Sequence, residues 1–193
     1  MQKKLYIIAG CNGAGKTTAS FNILPDLLDC KEYVNADEIA RGLSPFQPQK
    51  VSIEAGRIML QRISELLLSG EDFAFETTLS TKSFKNTIKS AKENGYFVSI
   101  IFFWLESSQL AKDRVKNRVL EGGHSIEEQT IERRYYAGIK NLFEIYSELV
   151  DYLIIYDNSK STPFLIAEKE IDHSIIIHNQ KIYNSFVSLK YGR

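Results

Sequence analysis

Cysteine is scarce in this chain: two residues, Cys11 and Cys30, among 193. Two cysteines supply neither a disulfide framework nor a zinc ligand set, which excludes small stapled folds and Cys-rich metal modules. An excess of one charge is also missing, with 24 basic residues against 24 acidic ones. That balance removes any global pull toward nucleic acid or an anionic membrane, so neither is an expected partner, although a local cluster of cations remains compatible with it. No apolar run approaches the roughly 18 residues that argue for a membrane-spanning helix. Met1-Gln2-Lys3-Lys4 leads directly into an apolar segment with no h-region or cleavage site, and a cytoplasmic protein is expected. Repeats, low-complexity stretches and long linkers are absent too, so residues 1–193 read as a single domain with a sizeable core.

What the chain does have is Gly10-Cys11-Asn12-Gly13-Ala14-Gly15-Lys16-Thr17, which fits the phosphate-loop pattern G-x-x-x-x-G-K-[ST]. The spacing has a physical reason. Gly10 ends a strand, and Gly13 and Gly15 let the backbone wrap until consecutive N–H groups point into one concavity. The helix that follows presents its positive N-terminal end to the same place. Lys16 reaches the β- and γ-phosphates of a nucleotide, and the Thr17 hydroxyl can hold Mg²⁺. Thr18 follows at the helix start, and Cys11 reads as a small filler inside the loop. The motif also has the required context: Leu5-Tyr6-Ile7-Ile8-Ala9 reads as a buried parallel strand and Thr17–Leu24 as a helix that Pro25 interrupts. Nucleoside triphosphate binding follows from this segment.

Strands and helices alternate along the chain, which predicts an α/β sandwich with a mainly parallel sheet. The expected strands are about 4–9, 32–35, 73–76, 96–104 and 153–156. Between them the spacing predicts helices over 16–24, 49–69, 83–93, 107–120 and 126–150, with a helical turn at Asp37–Ala40. After about residue 162 a small β-hairpin and a terminal helix near 181–189 are expected.

In open α/β sheets ligands gather beyond the carboxyl ends of the strands. The residues there are the phosphate loop, then Asn35 and Asp37, then Glu76, Thr77 and Thr78. Asp37 is the candidate base that accepts a proton from an attacking hydroxyl, with a plain helix-starting Asp as the alternative. Glu76 follows the apolar Phe73-Ala74-Phe75, and a carboxylate there needs Mg²⁺, a hydroxyl or Arg as partner. A second constellation is cationic: Arg114, Arg118, Arg133 and Arg134 flank Gly122-Gly123-His124 and read as a helical lid over about 107–135. Arg133 and Arg134 point about 100° apart on a helix, so at most one of them is expected to meet phosphate. His124 reads as a structural histidine. Tyr135, Tyr136, Phe143 and Tyr146 form an aromatic patch that suits packing better than base stacking. Asp157-Asn158-Ser159 is either a loop near the nucleotide, with Asn158 in contact, or a plain turn.

Taken in order, the phosphate loop, Val34-Asn35-Ala36-Asp37-Glu38-Ile39-Ala40, Phe75-Glu76-Thr77-Thr78-Leu79-Ser80, Arg118 before Gly122-Gly123-His124, and Arg133-Arg134-Tyr135 with Asn141-Leu142 resemble the zeta toxin family, in its compact stand-alone bacterial branch. The resemblance covers roughly residues 4–160. It implies a P-loop NTPase/kinase three-layer sandwich. It also implies phosphorylation of UDP-N-acetylglucosamine on its sugar 3′-hydroxyl with ATP and Mg²⁺, and restraint by an epsilon-type antitoxin protein. Carried over by position, Lys16 and Thr17 take phosphate and Mg²⁺, Asp37 is the base, Glu76 and Thr78 are the Glu-x-Thr substrate motif, and Arg118 is the first lid arginine. The family's second lid arginine lies closer to the first than Arg134 does to Arg118, and Gly122-Gly123-His124 stands at that spacing, so Arg134 is the candidate left for that role; Thr87 falls near a further substrate threonine, and Asn35 is a candidate substrate contact. Where the family carries an acid on the helix before Glu76, this chain has Leu60 with Arg57 nearby, which points to a different acceptor contact there.

Other functions stay open at this point. A P-loop ATPase or GTPase switch would want a Walker-B aspartate after the central run Ile100–Leu105, where Glu106 stands, and a GTPase would want Asn-Lys-x-Asp, which is absent. A kinase for nucleotides or RNA ends would want a basic groove. A catalytically idle nucleotide-binding module would have no use for Asp37 and Glu76.

Overall fold

The computed structural model describes residues 2–123, 125–170 and 173–191. His124 lies outside the described residues. Five parallel strands form most of one sheet: β1 (Lys3–Ala9), β2 (Glu32–Val34), β3 (Phe73–Thr77), β4 (Tyr96–Trp104) and β5 (Tyr152–Asp157). Two antiparallel strands, β6 (Phe164–Glu170) and β7 (Ile176–Ile177), extend it, giving the order β2-β3-β1-β4-β5-β6-β7. The expected C-terminal hairpin is this β6–β7 pair.

The helices are α1 (Lys16–Leu27), α2 (Ala36–Leu43), α3 (Ser52–Ser69), α4 (Phe84–Glu93), α5 (Ser108–Leu120), α6 (Glu128–Asn141) and α7 (Gln180–Ser188). The crossover from β1 moves to one side of the sheet, and every crossover after β2 moves the other way. With right-handed crossovers that reversal puts α1 and the later helices on opposite faces, the three layers of the sandwich. It also places a switch point between β1 and β3, where an open sheet leaves a crevice for ligands.

The centre of the sheet is apolar because its strands are covered on both faces. Every residue of β4 but Phe97 is buried, and Leu5, Ile7, Phe73, Phe75, Val98 and Ile100 have no exposed surface. Burying one such side chain contributes about 1.5–3 kcal/mol. The aromatic patch of α6 and the turn after it packs rather than stacks a base. Tyr135 donates to the Leu105 carbonyl and accepts from Trp104 Nε1, and Phe143 meets Phe186 of α7 at 5.0 Å.

Two boundaries differ from the sequence expectation. Pro25 lies inside α1, which runs on to Leu27. A proline so close to the helix end removes only one hydrogen bond of the last turns, and Leu24 beside it is buried in the core. The long helical region expected over 126–150 is α6 followed by a π-helical turn, Leu142–Tyr146. That turn lets Tyr146 reach back to the Thr81 carbonyl at 2.7 Å.

The loop after β3 is clamped from outside. Leu79 is fully buried and sits at φ 53°, a conformation L residues rarely adopt. Asn141 of α6 donates to its carbonyl at 2.8 Å, and Thr77 Oγ1 accepts its N–H at 3.1 Å. Gly138 of α6 lets the helix approach so closely that an added Cβ would lie 2.4 Å from the Thr78 carbonyl oxygen. Gly138→Ala is therefore expected to cost about 1–3 kcal/mol through overpacking, read as a lower thermal midpoint. An unchanged midpoint would show that the helix can back away freely.

Candidate active site

The phosphate loop takes the expected shape. Gly10, Gly13 and Gly15 have φ of 139°, 79° and 79°, values that favour glycine. At Gly10 a Cβ would collide with the Phe103 carbonyl oxygen at 2.3 Å, and at Gly13 with that of Ala111 at 2.8 Å. The loop is thus wedged between β4 and the backbone of α5. Ala14 is fully buried, and its carbonyl accepts from Asn158 Nδ2 at 2.8 Å. Asn158, in the loop after β5, therefore braces the phosphate loop from its outer side. Buried Cys11 fills space; burial pushes its thiol up to about 11 despite the Lys16 charge nearby, so it stays protonated.

Lys16 and Thr17 point to the end of β3. The Lys16 ammonium donates to the Cys11 carbonyl at 2.9 Å and lies 3.3 Å from Glu76 Oε1. Glu76 Oε2 accepts from the Thr17 hydroxyl at 2.8 Å, the Tyr33 hydroxyl at 2.6 Å and Asn35 Nδ2 at 3.0 Å. The partner that a carboxylate at this strand end requires is thus a lysine and a ring of donors. The sheet produces this: Ile8 of β1 is paired with Glu76, so one strand delivers the loop and its neighbour the acid.

Asp37 lies in the first turn of α2. The cap of that helix is Asn35, whose Oδ1 accepts the Asp37 N–H at 2.8 Å. The helix-starting role that would explain Asp37 on structural grounds alone therefore belongs to Asn35. Asp37 lines three cavities at once. One, of about 170 Å³, is bounded by the phosphate loop with Thr17, Thr18, Arg114 and Arg118. The second, of about 240 Å³, is bounded by Asn35, Met59, Thr77, Thr78, Ser80, Thr81, Phe84 and Arg134. Asn12, Lys16, Asp37 and Glu76 line both. A third, of about 210 Å³, shares Ala36, Asp37 and Arg134 with the second and continues to Pro48, Gln49, Ser52 and Ile126.

The arginines of α5 and α6 differ in what they meet. The Nε and Nη2 atoms of Arg118 are buried without a hydrogen-bond partner, in a side chain that lines the phosphate-side cavity. A buried cation with open donors is suited to an anion. Arg134 donates to Asn12 Oδ1 at 3.2 Å and faces Asp37. Burial draws its pKa below the ordinary arginine value, and the Asp37 charge opposes that shift. Arg133 is exposed, whereas Arg134 lines the second and third cavities. Arg114 donates to the Ser159 carbonyl at 3.0 Å, tying α5 to the loop that carries Asn158. Lys112 pairs with Glu132 at 2.6 Å and links α5 to α6. Arg57 is exposed on α3 and stands apart from these cavities; Met59, two residues on, lines the second. Thr87, on α4, does not line the cavity with Thr78.

Sequence reasoning passed over Tyr33, Met59, Ser80, Thr81 and Phe84. A signal existed for Ser80 and Thr81, which continue the polar run begun at Glu76. None existed for Tyr33, whose place depends on the pairing of β2 with β3. No group of three or more His, Cys, Asp and Glu that could hold a metal occurs among the described residues.

Comparisons with known proteins bear on the fold and the family. A 136-residue stretch is 34% identical to an uncharacterized protein of Haemophilus influenzae (strain ATCC 51907 / DSM 11121 / KW20 / Rd), covering 70% of this chain and 94% of that one. Among solved structures, AvrRxo1-ORF1:AvrRxo1-ORF2 with sulphate ions is similar at a TM-score of 0.79 and 17% identity, over 98% of this chain and 65% of that chain. The chain thus spans just under two thirds of that relative's length. The PezAT chromosomal toxin–antitoxin system of Streptococcus pneumoniae gives a TM-score of 0.67 at 15% identity, over 100% of this chain and 80% of that chain. Structural likeness at such low identity establishes the fold alone. A sequence model for Zeta toxin goes further: it matches residues 1–170, from the start of the chain through the end of β6, and the chain belongs to that family.

Proposed function

We propose that the protein is a kinase that moves the γ-phosphoryl group of ATP to a hydroxyl of a small-molecule acceptor, with a nucleotide-sugar such as UDP-N-acetylglucosamine as the first acceptor to test. The observation that carries this reading is the position of Asp37, on the shared wall of a phosphate-side cavity and a second, hydroxyl-lined one. A group placed there can reach both a nucleotide's terminal phosphate and an acceptor's oxygen. A switch that only hydrolyses ATP has no need of the second cavity.

The chemistry divides among the chain's own residues. Asp37 takes the proton as the acceptor oxygen bonds to the γ-phosphorus and the bond to the ADP oxygen breaks. Lys16, Arg118 and Arg134 offset the charge on the transferred group. Asn12, Gly13, Gly15 and Thr18 cradle the phosphates, while Asn158 braces the loop. Asn35, Glu76 and Thr78 face the acceptor. The hydroxyl and carboxylate oxygens of Thr17 and Glu76, 2.8 Å apart, fit a hard oxygen-seeking ion, so these two residues would hold Mg²⁺. The ion supplies neutralisation of phosphate charge when bound.

ATP as donor is supported by a relative of the same fold, AvrRxo1-ORF1:-ORF2, whose structure contains ATP. A protein antitoxin as partner is supported by the toxin–antitoxin system to which the Streptococcus pneumoniae relative belongs. Among the described residues no helix is long and apolar enough to cross a membrane. An ATP-dependent site points to the cytoplasm, where ATP is.

The test is transfer of labelled γ-phosphate from ATP with Mg²⁺ to a panel of UDP-sugars, other sugars, nucleosides and RNA ends. Label appearing on a UDP-sugar supports the full reading, and label on another small hydroxyl compound supports the kinase with a different acceptor. Label on RNA ends makes it an end kinase. Phosphate released only to water, equally with and without acceptors, defeats it in favour of an ATPase switch.

A further inference from the structure

The Glu76 carboxylate collects four donors, and two of them have other work to do. On the kinase reading, from which this inference starts, Lys16 and Thr17 must turn toward the nucleotide and its metal. In doing so they leave the hydrogen bond from Thr17 and the 3.3 Å ion pair from Lys16. Asn35 is already committed: its Oδ1 caps α2, and its Nδ2 is shared between Glu76 at 3.0 Å and the Tyr33 hydroxyl at 3.2 Å. Tyr33 has no such second duty. Its hydroxyl donates to Glu76 Oε2 at 2.6 Å, the shortest contact the carboxylate makes.

Tyr33 is also held from behind. It sits on the edge strand β2, one register step from Phe75, and its ring meets Phe21 of α1 edge-on at 6.1 Å. The phenol therefore bridges α1 and the end of β3. A glutamate side chain has a soft terminal torsion, and two oxygens free to swing would present a poor metal-side ligand.

We propose that Tyr33 is a positioning residue that holds the Glu76 carboxylate in place once Lys16 and Thr17 have been taken by phosphate and metal. It touches no reacting atom in this scheme and acts through Glu76.

Tyr33→Phe tests this, because it removes one oxygen and keeps the ring on Phe21. ATP affinity is measured by calorimetry without acceptor, first in EDTA and then with saturating Mg²⁺, beside the thermal midpoint. The variant is expected to bind metal-free ATP within about threefold of the native protein, and to lose about tenfold of the gain in affinity that Mg²⁺ brings, the size of effect seen when a metal ligand's supporting group is removed. With an acceptor in hand, kcat should fall by a similar factor. Native-like Mg²⁺ linkage in the variant would overturn the proposal. So would an equal loss of ATP affinity with and without Mg²⁺, which marks a structural prop. The linkage measurement needs no acceptor, so a failure of the kinase reading and a failure of the Tyr33 role give different results.

Discussion

Replacing Asp37 with asparagine is expected to slow phosphoryl transfer by about 10²–10⁴-fold, the range a general base contributes. ATP affinity should change by no more than about threefold, since removing a group that acts in the chemical step need not alter ground-state binding. The substitution keeps shape and volume and removes the charge and the proton acceptor. The helix should survive it, because the cap of α2 is Asn35 and the Asp37 N–H remains available to Asn35 Oδ1. Arg134 is the neighbour to watch. Its half-buried guanidinium faces Asp37, and the carboxylate's charge favours the cation against the cost of burial. Loss of that charge should loosen Arg134 from Asn12 and add to the drop in rate. The measurement is single-turnover transfer of labelled phosphate beside calorimetric ATP binding. Native turnover in the Asn variant would sink the base assignment and leave Asp37 an ordinary first-turn acid.

The phosphate loop, the parallel order of strands and the acid at the end of β3 were readable because they are local. A run of Gly10, Gly13, Gly15 and Lys16 states its own geometry through backbone sterics, and an apolar triplet before Glu76 states its burial. Asn35 and Asp37 were readable as a pair of polar residues after a strand, but which of them capped α2 was not, since both types cap helices. The clamp on the loop after β3 was hidden for another reason. Its parts, Leu79, Gly138, Asn141 and Tyr146, lie far apart in the chain and meet only when α6 and its π-helical turn pack on that loop. A single glycine inside a helix reads as a weak point, yet here it is the point of closest approach. Arg133 and Arg134 illustrate the same limit: the 100° between adjacent helical residues says that one faces inward, and only the seating of α6 decides which. Tyr33 carried no local signal at all, being one aromatic in a three-residue edge strand.

Lys16→Ala is the second variant expected to have a large effect, and here binding and chemistry should fail together. Lys16 is 5% exposed and is held by the Cys11 carbonyl and Glu76, so its ammonium is preorganised where phosphate would arrive. A fixed cation in a water-poor site stabilises developing charge far better than one in bulk water, and losing one such donor costs on the order of 10²–10³-fold in turnover. ATP affinity should fall by at least about tenfold, since a charge-assisted contact is among the stronger hydrogen bonds a phosphate receives. The fold should bear the change. Glu76 loses its cation but keeps Thr17, Tyr33 and Asn35 as donors, so its charge is not stranded in an apolar setting. Lys16→Ala is thereby separated from a variant that merely unfolds: its thermal midpoint without nucleotide should stay near native, while the rise in midpoint that ATP confers on the native protein should vanish. If ATP protected the variant as well as it protects the native chain, and turnover were unchanged, the phosphate loop would not be the nucleotide site. Arg118 gives the check on that conclusion. Its buried, unpartnered guanidinium atoms lie against the same cavity, so Arg118→Ala combined with Lys16→Ala should lose less than the product of the two single effects if both cations serve one phosphate chain.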